Sequence, residues 1–125
     1  MAEATKRTCV ASISVAVCVY NGARFLSDQL SSIASQTLLP SELIVCDDAS
    51  QDESAAIIRD FCRSAPFEVR LLQNDFRRGV RSNFEQAIAN CSGDLVALCD
   101  QDDVWLPQKL EVLSSKLERN PNAFA

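Results

Sequence analysis

The chain has 125 residues, 47% hydrophobic and 23% charged, with only three glycines and four prolines. That composition suits one globular domain with a real core and argues against a disordered chain. Seventeen acidic against 12 basic residues leave a net charge of −5, which excludes the basic face of a nucleic-acid binder and simple attraction to anionic lipid.

Histidine is absent, which removes the commonest general base and metal ligand. The six cysteines, at 9, 18, 46, 62, 91 and 99, form no CxxC pair, so zinc-ribbon and thioredoxin-like readings lack support. They read instead as small buried hydrophobes in a reducing compartment. No apolar run approaches the roughly 20 residues that span a bilayer. The opening MAEATKRTC lacks the apolar core of a secretory signal. The expected location is therefore cytoplasmic, with no transmembrane segment.

In chain order, Ser12–Val19 is β-branched and apolar and has the length of a buried strand. Tyr20, Asn21 and Gly22 end it. Leu26, Leu30 and Ile33 then recur at helical spacing as far as about Gln36. A turn at "LLPSE" leads to a short strand, Leu43–Cys46, which runs into Asp47 and Asp48. Ser50 and Glu53 fit a capping box for a second helix with Ile57, Ile58 and Phe61 inside. Glu68–Leu72 reads as a third strand, and the polar, basic loop "QNDFRRGVRS" follows. Val80, Phe84, Ile88 and Cys91 define a third helix, and Leu95–Cys99 a fourth strand. Leu106, Leu110, Leu113 and Leu117 mark a last helix, with Pro107 near its first turn.

This βαβαβαβα order predicts an α/β fold: a Rossmann-like parallel sheet with helices on both faces, forming a single domain over 1–125 with its core at about 12–120. Ligands of open α/β sheets bind outside the carboxyl ends of the strands. Three polar constellations fall there: Tyr20-Asn21-Gly22, Asp47-Asp48 and Asp100–Asp103. Asp100 and Asp102 lie two apart, so in extended backbone both carboxylates face one ion. Hard oxygens suit Mg²⁺ or Mn²⁺, shared with a substrate phosphate. The alternative is a solvated turn and helix cap. Asp47 and Asp48 either cap a helix or accept hydrogen bonds from a ligand. Tyr20 either stacks on a flat base or plugs the core edge. Arg77, Arg78 and Arg81 place positive charge beside this acidic rim, as an anionic diphosphate needs.

The segments "SVAVCVYNGARFLSDQLSSIASQT", "ELIVCDDASQDES" and "GVRSNFEQAIANCSGDLVALCDQDDVWLPQKL" resemble the family 2 inverting glycosyltransferases. The likeness runs from about Ser12 to Asn120, and the wording "DQDDVW" is most similar to rhamnosyltransferase-like members. The resemblance implies the nucleotide-binding half of a GT-A fold. It implies transfer of a hexosyl or deoxyhexosyl group from a dTDP- or UDP-linked sugar. The acceptor implied is a saccharide or lipid-linked saccharide, in cell-surface polysaccharide synthesis at the inner membrane face. By position, Tyr20 packs on the base beside Val19 and Asn21, and Asp48 hydrogen-bonds the base with Asp47 beside it. Asn83 lines the nucleotide pocket. Asp100 and Gln101 sit near the ribose, and Asp100 and Asp102 hold Mn²⁺ or Mg²⁺. Family members often carry a polar pair where this chain has Cys18-Val19, and glycine where it has Ala49.

The base that deprotonates the acceptor in an inverting reaction is expected beyond Ala125, because members continue well past the acidic triplet. Asp103 is better read as a cap. The resemblance thus implies a donor-binding part whose truncated sheet edge favours self-association. The alternatives are a non-catalytic nucleotide-binding remnant or interaction module, and a receiver-like signalling domain. The last lacks a lysine at a later strand end.

Overall fold

A computed structural model describes residues 11–100 and 102–119. Four strands, β1 (Ile13–Val19), β2 (Glu42–Asp47), β3 (Glu68–Gln73) and β4 (Leu95–Cys99), alternate with four helices. The helices are α1 (Ala23–Ala34), α2 (Ser54–Cys62), α3 (Val80–Ala89) and α4 (Lys109–Arg119). The sheet is wholly parallel, in the order β3-β2-β1-β4. Every residue of β1 and β2 is buried, as expected of inner strands covered on both sides.

Side-chain alternation divides the core. Val15, Val17, Val19, Leu43, Val45, Ala97 and Cys99 face α1, α2 and α4, packing on Leu30, Ile33, Ile58 and Leu110. Ala16, Cys18, Ile44 and Cys46 face α3 through Phe84 and Ala87. Helices therefore cover both faces, three on one and one on the other. Small residues on the α3 side let that single helix lie close to the strands.

Two local expectations fail. Ser50 and Glu53 form no capping box: α2 starts at Ser54, and Glu53 makes no side-chain cap bond. The Ser50 hydroxyl instead accepts from the Asn21 N–H at 2.8 Å. The Ser54 hydroxyl and Asp52 carboxylate accept from the N–H groups of Gly22 and Ala23, at 3.0 and 3.1 Å. The loop after β2 thus satisfies orphan donors at the start of α1. Leu106 is 76% exposed and precedes α4, which begins at Lys109. The Pro107 carbonyl accepts from the Thr37 N–H at 2.8 Å, drawing this stretch onto the end of α1.

The amino end of the sheet is closed by Glu42. Its carboxylate accepts from the Ser14 hydroxyl at 2.6 Å and from the Ser92 N–H and hydroxyl, with Arg70 at 3.5 Å. A Cβ on Gly93 would lie 2.6 Å from the Ser14 hydroxyl oxygen, so only glycine fits.

Candidate functional site

Register brings the carboxyl ends together. Val19 pairs with Asp47, Asp47 with Gln73, and Val17 with Cys99. The residues that follow, Tyr20, Asp48, Asn74 and Asp100, therefore emerge along one edge. Val19, Tyr20, Asp48, Asn83 and Asp100 line a single cavity of about 350 Å³, together with Cys18, Arg77, Val80 and Phe84. That volume suits a small organic ligand.

Asp48 is 2% exposed. Its Oδ1 accepts from the Asn74 side-chain amide at 2.9 Å and the Arg78 N–H at 2.8 Å. Its Oδ2 accepts from the Gly79 N–H at 2.9 Å, with Arg77 Nε at 3.6 Å. Burial alone would raise the carboxyl pKa. The hydrogen bonds from Arg78, Asn74 and Gly79, with the Arg77 charge, hold it below its ordinary value instead. Asp48 is thus an ionised anchor for the loop after β3. Gly79, at φ 92°, makes the turn into α3 that this grip requires.

Asp47 and Asp48 part company. Asp47 continues the Leu43 and Val45 side, is 2% exposed, and accepts from the Ser50 N–H at 3.2 Å. It does not line the cavity. Asn21, in left-handed backbone at φ 49°, accepts from the Gln51 N–H at 2.8 Å and joins the first two loops rather than facing the cavity. Asn83 is buried. It donates to the Cys46 carbonyl and accepts from Asn74, both at 2.9 Å, tying α3 to β2. Gln101 lies outside the described residues.

Asp100 and Asp102 are both exposed, but Asp102 is not in the extended backbone expected. The Asp103 N–H closes on the Asp100 carbonyl at 3.1 Å, and Asp102 sits at φ 63°. Alternation along a strand therefore does not aim the two carboxylates. Among the described residues, no three Asp, Glu or Cys side chains converge on a metal position. The donor set fits a hard divalent ion held by one or two carboxylates whose other positions are filled by ligand oxygens.

Sequence reasoning missed three cavity features. The Arg77 guanidinium lies over the Tyr20 ring, 3.6 Å from its centroid, a cation–π stack backed by Asp48. Cys18 floors the cavity. Its thiol is pushed up to about 12, chiefly by burial and then by Cys46, Asp48 and Asp100, so it stays protonated. Asn74 bridges Asp48 and Asn83; its place directly after β3, beside Asp48, was the available signal.

Glycosyl transferase family 2 matches residues 14–125, and the chain belongs to that family. It is 32% identical over 112 residues to the UDP-Glc:alpha-D-GlcNAc-diphosphoundecaprenol beta-1,3-glucosyltransferase WfgD of Escherichia coli, covering 90% of this chain and 43% of that protein. It is 32% identical over 108 residues to the putative glycosyltransferase EpsE of Bacillus subtilis, covering 86% of this chain and 39% of that one. The chain therefore spans less than half of either relative. Among solved structures, S. aureus TarS 1-349 in complex with UDP superposes with a TM-score of 0.80 at 23% identity, covering 88% of this chain and 33% of that one. Mannosyltransferase PcManGT from Pyrobaculum calidifontis, in complex with GDP-Man and Mn²⁺, gives 0.76 at 25%, covering 86% and 32%. The fold is that of these GT-A glycosyltransferases, and family membership displaces the receiver-like reading.

Proposed function

We propose that this chain is the donor-binding part of an inverting glycosyltransferase that takes a UDP- or dTDP-linked hexose or deoxyhexose. The carrying observation is the cavity at the carboxyl edge, where the aromatic ring of Tyr20, the anchored Asp48 and the exposed carboxylate of Asp100 meet. In this reading the nucleobase takes the Tyr20 ring face that Arg77 covers. Val19 and Asn83 border the nucleotide. Asp48 fixes the loop above it, while Asn21 and Asp47 hold the surrounding loops in place. Asp100, with Gln101, lies toward the ribose.

Asp100 and Asp102 are the residues that would hold Mn²⁺ or Mg²⁺. A bound divalent ion neutralises charge on the departing diphosphate. Arg77, once off the ring and still tethered to Asp48, supplies a second positive charge. None of the residues placed at the cavity is assigned as the base that deprotonates the acceptor. WfgD, named for transfer from UDP-Glc to alpha-D-GlcNAc-diphosphoundecaprenol, supports a lipid-linked saccharide acceptor. No described helix is long and apolar enough to cross a membrane. The rhamnosyltransferase-like assignment rests on the "DQDDVW" wording alone.

A second reading, self-association, is favoured by edge strand β4, where Leu98 is 50% exposed and Leu106 and Val112 are also exposed.

Calorimetric titration with UDP and dTDP, with and without Mn²⁺, tests the first reading. Mn²⁺ should strengthen binding well above its metal-free level, and Asp102→Ala should weaken the metal-dependent binding at least tenfold, about 1.4 kcal/mol. Affinity unchanged by that substitution would remove the acidic turn from the site.

A further inference from the structure

Side chains on α1 and just past its end hold the stretch between Cys99 and Leu110 at several points. Along α1 and just past its end, Gln29, Ser32 and Gln36 form a buried polar stripe at helical spacing. The Ser32 hydroxyl accepts from the Trp105 N–H at 3.0 Å and donates to the Gln29 carbonyl at 2.7 Å. Gln36 donates to the Leu106 carbonyl at 2.7 Å and accepts from the Leu110 N–H at 3.0 Å. Gln29 is wholly buried, and its amide donates to the Asp100 carbonyl and to Cys99 Sγ, the latter at 3.2 Å. The Asp100 carbonyl is the same one that the Asp103 N–H closes upon. Gln29 therefore grips the atom around which the acidic turn is built.

Gln29 is a poor choice for packing. Its Oε1 is buried without a hydrogen-bond partner among the described residues, and an unmade buried bond is destabilising. Methionine would fill the same space with no such penalty. What methionine cannot do is donate to Asp100. The turn needs that grip because Asp102 adopts left-handed backbone at φ 63°, which a non-glycine residue holds only when its surroundings enforce it.

We propose that Gln29 is a positioning residue: through the Asp100 carbonyl it sets the turn that aims the Asp100 and Asp102 carboxylates at a divalent ion. Ser32 and Gln36 fix the far side of the same segment. This inference rests on the donor-site reading above.

The test uses the full chain, with UDP, dTDP and GDP as probes in calorimetry and Mn²⁺ alone followed by electron paramagnetic resonance. Gln29→Met should unfold at the same or a higher temperature than the wild type. It should keep the metal-free nucleotide affinity and lose about tenfold in Mn²⁺ affinity, as loss of outer-shell partners does. Gln29→Leu, buried and likewise without a donor, should lose Mn²⁺ affinity to the same extent. Mn²⁺ affinity within twofold of wild type in a folded variant overturns the proposal. So does a parallel loss of melting temperature and metal-free affinity, or failure of both variants to fold, since each marks Gln29 as merely structural. If the wild type shows no Mn²⁺-dependent binding of any probe, the donor-site reading fails first and this inference falls with it.

Discussion

Strand β2 carries a buried carboxylate at each end, and the two have different fates. Glu42 opens the strand and Asp48 follows its last residue. Glu42 accepts four hydrogen bonds, one of them from Arg70 at 3.5 Å, while Asp48 accepts three and lies 3.6 Å from Arg77. At each, burial pushes the pKa up and the bonds bring it below the ordinary value. Yet Glu42 is closed in by Ser14 and Ser92, with Arg70 also bonded to the Asn90 carbonyl, while Asp48 borders the cavity and faces a second carboxylate region at Asp100. A buried, satisfied, ionised carboxylate is therefore no sign of function by itself. The neighbouring space decides: only Asp48 borders a cavity, and it shares that cavity with a second carboxylate, Asp100.

The comparison can be broken most forcefully at Glu42. Glu42→Ala leaves the Ser14 hydroxyl, the Ser92 N–H and Arg70 without their acceptor, and should cost about 3 kcal/mol in urea unfolding. Nucleotide affinity of the folded fraction should not change. A Glu42→Ala protein that is stable but fails to bind would erase the distinction between the two ends.

Acid should act on both ends together. Folded-state values lie below the ordinary 4.5 for Glu42 and 3.8 for Asp48, so the unfolded chain binds more protons as these carboxyls titrate. Their stabilisation is complete above the ordinary values and is lost as pH falls through the lower folded ones. Unfolding free energy measured from pH 7 to pH 3 should fall, and Glu42→Gln should fall less steeply. A pH-independent curve would contradict the ionised assignment of both groups.

At the cavity end, Arg77→Ala removes the guanidinium that competes for the Tyr20 ring. Calorimetry with the nucleoside uridine, which carries no phosphate for Arg77 to meet, should show affinity rising about threefold, since an exposed cation–π contact is worth roughly 0.5–1 kcal/mol. A fall instead would show that a base stacks on Arg77 rather than replacing it. The smallest effect lies beside Asp48, where Ala49 sits at φ 62°. Ala49→Gly relieves left-handed strain and should stabilise the fold by about 0.5–1 kcal/mol net of chain entropy, seen as a higher midpoint of thermal unfolding.

Element order and sheet class were legible because apolar runs, turn residues and helical spacing agree along the chain. The strand-end rule also drew attention to Tyr20, Asp48 and Asp100. What the linear pattern concealed are bonds between distant residues. Gln29 meets Asp100, and Arg77 crosses to Tyr20. Glu42, read as part of a turn, is held by Ser14 and Ser92. Ser50 was claimed by Asn21 before it could cap a helix. The division of Asp47 from Asp48 follows from strand alternation, but only once β2 is known to run through Asp47.

The strand order has a kinetic consequence. β4 pairs with β1, joining Ile13 to Leu95 across the length of chain that forms β2 and β3 on the opposite side. Such non-local closure is slow. Until it happens, β1 presents an unsatisfied apolar edge to any other nascent chain. Asp100 is brought beside Tyr20 and Asp48 by the β1–β4 pairing, so a chain in which β4 has not docked lacks one wall of the cavity, and a ligand that fills it selects for completed molecules.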